Sequence, residues 1–227
     1  MRRMTDPSAH PELIHALESS VAFYATLDEV LGNTHEVASH RDLLTQGTIS
    51  TSFEHGISIV RLVEANQLAS ASVLLRAQFE ALVRALWLHF VADDTWAEKY
   101  FAKLKGEPRK DPGNSRNMDE MLKDLAAKAP RGIATKLQPL KDAAWGPLNS
   151  YVHTGIHSIV HQHTGVPVEF ALATLRNANG LTGMAAMLAA ELSGDPQQVA
   201  SVLDAQYAHL DCLPPLNPTP PLPSIGL

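Results

Sequence analysis

Four histidines fall within eleven residues of the chain: His153, His157, His161 and His163. The first three recur at a spacing of four, and Asn149 continues the same series towards the amino terminus. Residues four apart lie on one face of an α-helix. Because imidazole titrates near neutral pH and also binds transition metals, this row indicates either acid–base chemistry or a metal site.

A second polar row crosses one of the most apolar segments of the sequence, residues 67–91. Here Arg76, Glu80 and Arg84 also recur at a spacing of four. A helix that is apolar on its other faces should be central in the fold, so these charges should be partly buried. Since buried charges require partners, the spacing predicts an Arg–Glu–Arg ladder along this helix.

We expect the two rows to pack against each other, with Glu80 accepting a hydrogen bond from an imidazole and the arginines bordering a small polar pocket. Three interpretations of this pocket remain open. The first is a structural network that fixes the register of the helices. The second is a site of acid–base or phosphate chemistry, and the third is a site for zinc or another divalent transition metal. In the metal alternative the ligands come from His153, His157 and His161, with Glu80 or His55 completing the shell.

The elements that position these rows are all predicted to be helical. Apolar residues recur at helical spacing, capping residues and prolines mark the ends, and no alternating strand pattern competes. The predicted helices cover residues 11–31, 34–66, 67–91, 94–104, 118–128, 147–163, 168–193 and 196–211. We therefore predict an all-α fold, a single bundle of six to eight helices over residues 1–212 with an extended proline-rich arm over residues 213–227.

The composition narrows the class of protein. Hydrophobic residues make up 45% of the 227 residues and charged residues 19%, values typical of a globular chain rather than a disordered one. No apolar run is long enough to span a membrane, no secretory signal is visible, and the lone Cys212 fits a reducing compartment, so we expect a cytoplasmic protein. The net charge of −6 lacks the strong basic signature of nucleic-acid binding, although a local basic site is compatible with it.

Two stretches resemble known helical families. Residues 71–87, ASVLLRAQFEALVRALW, and residues 148–157, LNSYVHTGIH, are similar to bacterial all-helical families that resemble the HEPN superfamily of toxin–antitoxin and other defence proteins. The HEPN hallmark is an Arg followed by a polar residue and then, a few positions later, a His. Asn149 and His153 match the polar residue and the His, but Leu148 stands where the Arg belongs.

The resemblance implies a metal-independent ribonuclease or RNA-binding protein, with RNA, an antitoxin or another protein as partner and a homodimeric assembly. In such an enzyme His153 is the general acid/base, Arg76 replaces the missing Arg as phosphate stabiliser, and Glu80 orients one of them. Further residues are expected to contact the substrate or hold the pocket: Asn149, Tyr151, His157 and Arg84. Two alternatives stay open, a non-enzymatic helical dimerisation module and a metal-dependent helical-bundle hydrolase that uses the histidine row.

Overall fold

The computed structural model of the chain describes residues 3–4, 10–32, 38–106, 116–130 and 132–215. Within these ranges the chain forms nine α-helices: α1 (Pro11–Leu31), α2 (His40–Glu64), α3 (Leu68–Phe90), α4 (Asp94–Gly106), α5 (Met118–Lys128), α6 (Ile133–Val152), α7 (Ile156–Thr164), α8 (Val168–Ser193) and α9 (Pro196–Ala208). The predicted all-α class is confirmed. A short antiparallel pairing joins β1 (Arg3–Met4) to β2 (Val166–Pro167), and a 3₁₀ turn spans Leu210–Cys212.

Helix α3 lies at the centre of the bundle, as its apolar sequence predicts. It packs against α2, α8, α5 and α6, and it buries Phe79, Leu82 and Leu86 in the main core. Because neighbours surround α3 on several sides, the polar residues on it must either pair with a neighbouring helix or reach an edge. Within the described ranges, no helix combines the length and the apolarity needed to cross a bilayer.

Helix α8 is the second buried element, and small residues let its neighbours come close. A Cβ atom on Gly180 would lie 2.7 Å from Cγ of Pro214, so the chain after α9 packs directly onto the α8 backbone. Leu213 is only 8% exposed. The arm predicted for residues 213–227 therefore begins with residues that are packed against the bundle, and residues 216–227 lie outside the described part of the chain.

Several helix ends follow the expected capping chemistry. The side chain of Asn117 accepts a hydrogen bond from the Glu120 amide and Glu120 bonds back, a capping box that begins α5. Asp195 caps α9, with Pro196 as its first residue. For α2, Ser39 is the cap, and the predicted start at Thr34 falls outside the described residues.

The prediction of one helix over residues 147–163 is wrong. Helix α6 already begins at Ile133, continues through Pro139 and Pro147, and ends at Val152. The break before α7 divides this segment into two helices, so the described residues form nine helices where six to eight were expected.

The break between α6 and α7 has a local cause. Thr154 adopts a left-handed conformation with φ of 52°, which ends the helix. A Cβ atom on the next residue, Gly155, would lie 2.6 Å from Oγ of Ser150, so glycine fits this close approach. The Ser150 hydroxyl then accepts a hydrogen bond from the amide of His157 at 3.0 Å, in the first turn of α7. Residues four apart in the sequence therefore do not lie on one helix face when this break falls between them.

Candidate functional site

Arg76 makes a polar contact between α3 and α6. Its Nε donates a hydrogen bond of 2.9 Å to Oε1 of Glu80, one turn further along α3. A terminal nitrogen of the same guanidinium donates to the side-chain oxygen of Asn149 on α6. The Arg76 Cζ atom also lies 4.6 Å from the ring centroid of Trp145. The structure thus brings the two predicted polar rows together at Arg76, Glu80 and Asn149.

These contacts hold the Arg76 guanidinium in one orientation. A guanidinium carries five N–H donors in a planar fork, and the described residues accept from two of them. The side chain is 21% exposed, so the group is partly sheltered but still open to solvent. An oriented, partly sheltered guanidinium with spare donors is suited to bind a phosphate or carboxylate.

The rest of the predicted ladder does not form. Glu80 accepts from Arg76, and no histidine within the described ranges donates to it, contrary to the predicted imidazole contact. Arg84 lies half-buried two turns beyond Arg76 and makes no ion pair with the described residues. Among the described residues, the row of three charges therefore forms one ion pair, between Arg76 and Glu80.

His153 lies at the carboxyl end of α6 and its side chain is exposed. Its amide donates a hydrogen bond of 3.0 Å to the backbone oxygen of Asn149. This bond keeps His153 in helical register, one turn and about 6 Å along the axis from the residue that binds Arg76. His157, half-buried at the start of α7, borders the same junction.

Tyr151 and His161 point into the protein instead of towards a substrate. A hydrogen bond joins the Tyr151 hydroxyl to Nδ1 of His161, and both rings pack against Phe170, at centroid distances of 5.9 and 5.1 Å. Burial raises the pKa of Tyr151. Burial, and then the nearby His157, lower the pKa of His161. Tyr151 is only 5% exposed, so it packs in the core in this structure, and its predicted role at the site stays a prediction.

The alternative metal site at His153, His157 and His161 does not assemble. The break after Val152 places His153 on a different helix from the other two, and His161 directs Nδ1 at Tyr151. Across the described ranges, no three His, Cys, Asp or Glu side chains come together in a group that could hold a metal ion. A zinc site needs three or four such donors around one point.

The sequence analysis did not identify Trp145 and Lys141 as site residues, although their spacing in the sequence could have revealed them. Both continue the series of Asn149 and His153 towards the amino terminus at the same spacing of four. Lys141 lies with Nζ 5.8 Å from the Trp145 ring centroid, and it pairs with Asp119 of α5. Two cations, Arg76 and Lys141, thus flank one indole on the α3–α6 surface.

A buried polar cluster was also missed, because none of its members belongs to a regular row. Gln78 is fully buried on α3, and its Nε2 donates hydrogen bonds of 3.0 Å to the Ala178 carbonyl and to the Thr182 hydroxyl. The Tyr24 hydroxyl lies 2.7 Å from the same Thr182 hydroxyl. This cluster ties α1, α3 and α8 together inside the core.

Comparison with known proteins gives a family but no function. No curated protein and no solved structure matches the chain. A protein family matches residues 49–215, a range that contains α3, α6 and α7 and therefore every residue of the site described above. The chain belongs to this family, DUF6988, which is described as a family of unknown function.

Proposed function

We propose that the α3–α6 surface binds and cleaves RNA without a metal ion, as the HEPN resemblance implies. The observation that supports this is the hydrogen bond from the Arg76 guanidinium to Asn149, one helical turn before His153. Leu148 stands where the HEPN hallmark has its Arg, and it is buried in the core at 5% exposure. Arg76 supplies from α3 the cation that this position of α6 lacks.

The proposed reaction uses the ribose 2′-hydroxyl as nucleophile. The 2′ oxygen attacks the phosphorus, the bond from phosphorus to the 5′ oxygen breaks, and the products end in a 2′,3′-cyclic phosphate and a 5′-hydroxyl. His153 accepts the 2′-hydroxyl proton and returns a proton to the leaving 5′ oxygen, as a general acid/base. Arg76 donates hydrogen bonds to the phosphate oxygens, where negative charge increases in the transition state.

Two cations lie on this surface despite the net charge of −6, and they support the proposed binding of an anionic substrate. Arg76 and Lys141 both lie against Trp145, so cationic groups border the surface that leads to His153. Glu80 and Asp119 each pair with one of these cations and offset part of their charge, but the hydrogen bond from Nε of Arg76 to Glu80 also fixes the plane of the guanidinium. Phosphate binding requires such local cations rather than a basic chain.

The test is cleavage of end-labelled RNA in EDTA by the wild type, by His153→Ala and by Arg76→Lys. Loss of a general acid/base typically lowers the rate by about 10²- to 10⁴-fold, so His153→Ala should be nearly inactive. His163→Ala, which removes an exposed histidine at the end of α7, is the matched control and should retain the wild-type rate. Melting curves must show that all variants are folded. The proposal fails if the wild type does not cut RNA, or if His153→Ala cuts as fast as His163→Ala.

A second candidate function, a homodimerisation module, is favoured by one separate observation. Three large apolar side chains beside the α6–α7 break face solvent: Val152 at 38%, Ile156 at 59% and Ile159 at 55% exposure. Such a strip is typical of an interface between protein chains. Sedimentation equilibrium should then show a dimer that Ile156→Glu with Ile159→Glu converts to a monomer. Tyr207→Glu, at an exposed site on α9, should leave the assembly unchanged.

A further inference from the structure

A long groove lies between α1 and α2. Both helices pack on α8, but they make little contact with each other, and the space between them has a volume of about 1090 Å³. Ala189 and Leu192 of α8 also line it. Neither Arg76 nor His153 is among the described residues that line the groove, so a role of the groove does not depend on the proposed RNA chemistry.

The shape of the groove favours an elongated occupant. Its lining residues on α2 run from Asp42 to Glu64, which corresponds to about 33 Å of helix at 1.5 Å per residue. Sites for small molecules are compact pockets that enclose most of the ligand. A groove of this length matches instead a helix of about 20 residues.

The floor of the groove is apolar and partly exposed. Phe53 and Ile57 contribute from α2, and Val21 contributes from α1. Ile57 is 39% exposed and Val21 is 60% exposed, although most large apolar residues of this chain are buried. Covering these side chains would remove apolar surface from water, which is the main driving force for association.

The rim of the groove is acidic. Among the described residues, Asp28 on α1 and three residues on α2, Asp42, Glu54 and Glu64, line it together with one cation, Arg61. Asp28, Glu54 and Glu64 are exposed and form no ion pair with the described residues. The rim therefore presents a net negative charge, and a complementary partner must carry positive charge on either side of an apolar face.

We propose that this groove binds a basic amphipathic α-helix of a partner protein. The apolar face of that helix lies on Val21, Phe53 and Ile57, and its Lys or Arg residues lie opposite Asp28 and Glu54, as in other helix-in-groove complexes. A second copy of this chain is a poor occupant by comparison, because its net charge of −6 repels the acidic rim.

The experiment measures binding of a fluorescein-labelled helical peptide to the full chain by anisotropy. The probe has leucines at i, i+3, i+4 and i+7 and lysines on the flanks, with a length of about 20 residues. One comparison peptide replaces the lysines with glutamates, and another has the same composition with leucines scrambled off one face. We expect the lysine helix to bind at least about tenfold more tightly than either, and salt to weaken its binding.

Matched substitutions then locate the binding surface. Asp28→Lys should weaken the lysine helix about tenfold through like-charge contact. Glu29→Lys, the same charge change at a neighbouring exposed residue outside the groove, should not weaken it. Ile57→Gln should weaken binding, whereas Ile159→Gln on α7 should leave it unchanged.

Three results would overturn the proposal. The first is equal binding of the lysine and glutamate helices. The second is equal binding to Asp28→Lys and Glu29→Lys. The third is a homodimer of the wild type that Ile57→Gln dissociates, which would identify a second copy of the chain as the occupant.

Discussion

One cation ties α3 to α6: Arg76 donates a hydrogen bond to the side chain of Asn149 and places its guanidinium 4.6 Å from the ring centroid of Trp145. Both contacts are partly sheltered from water, since the Arg76 side chain is 21% exposed. Charge-assisted hydrogen bonds and cation–π contacts are strongest where water is partly excluded. The helix that carries His153 is thereby fixed against the central helix of the bundle.

Asn149→Ala should therefore destabilise the protein by about 1 to 2 kcal/mol, because it leaves an Arg76 donor without its acceptor in a sheltered place. Gln138→Ala is the matched control on the same helix. Gln138 makes an exposed hydrogen bond to Asp142, so its loss should cost only a few tenths of a kcal/mol. Urea unfolding measures both. Equal costs for the two variants would show that the α3–α6 contact does not contribute to stability.

Two glycines on α2 predict opposite effects of the same substitution. A Cβ atom on Gly56 would clash with the Tyr24 hydroxyl and lie 2.6 Å from the Thr182 hydroxyl and 2.9 Å from Nε2 of Gln78. Gly56→Ala should thus disrupt the buried polar cluster and destabilise the protein by about 1 to 3 kcal/mol.

A Cβ atom added to Gly47 would have no atom of the other described residues within 4 Å, apart from its own helix backbone and chain neighbours. Gly47→Ala should therefore stabilise α2 by up to about 1 kcal/mol, since alanine is the better helix former. Thermal unfolding of the two variants under one set of conditions checks both signs. A destabilised Gly47→Ala, or a neutral Gly56→Ala, would contradict the packing described around α2.

How much of the site the sequence could predict depends on the range of each interaction. The Arg76–Glu80 pair is local, because residues four apart on a helix are neighbours wherever the helix lies. The contact from Arg76 to Asn149 joins residues 73 positions apart. The pattern suggested that the two rows should meet. Which members make contact depends on the crossing angle between the two helices, and helical periodicity does not predict that angle.

The histidine row shows where the pattern misled. Its spacing of four assumed one helix, but Thr154 adopts a positive φ, and the close approach of Gly155 to Ser150 starts a new helix. After the break His161 faces inward onto Tyr151, so the third histidine serves packing while His153 stays exposed.

Cys212 should be nearly unreactive in the folded protein. Its side chain is buried, its Sγ lies 3.3 Å from the His209 carbonyl, and burial raises the pKa of the thiol to about 11 from an ordinary value of 9.0. That shift alone lowers the thiolate fraction at pH 8 about a hundredfold, and only the thiolate reacts. Reaction with a chromogenic disulfide should be slow in buffer and fast in denaturant.

The matched control for this thiol is Thr51→Cys combined with Cys212→Ser, which moves the single cysteine to an exposed position on α2. It should react at the rate of a free thiol with or without denaturant. If the native Cys212 reacts as fast as the cysteine at position 51, then the turn after α9 opens far more often than its packing implies.

The buried Tyr151–His161 pair predicts that the protein loses stability as the pH falls. Burial, followed by the nearby His157, holds the pKa of His161 below its ordinary value of 6.5, and a protonated Nδ1 could no longer accept the Tyr151 hydroxyl. Below pH 6.5 the unfolded chain takes up a proton at this histidine while the folded chain does not. The free energy of unfolding therefore falls as the pH drops from 6.5 towards the lower pKa of the folded state, by at most about 1.4 kcal/mol per pH unit for one such group.

Urea unfolding at pH 7.5 and pH 5.5 should show this loss in the wild type. His161→Gln keeps an acceptor for the Tyr151 hydroxyl but does not titrate, so it should lose less stability between the two values. Part of the pH dependence of the free energy of unfolding should remain in His161→Gln, because burial also lowers the pKa of His89 on α3. His163→Gln, at an exposed position two residues away, should follow the wild type. If His161→Gln and the wild type lose the same stability, the pair is accessible to water and its hydrogen bond does not exclude the proton.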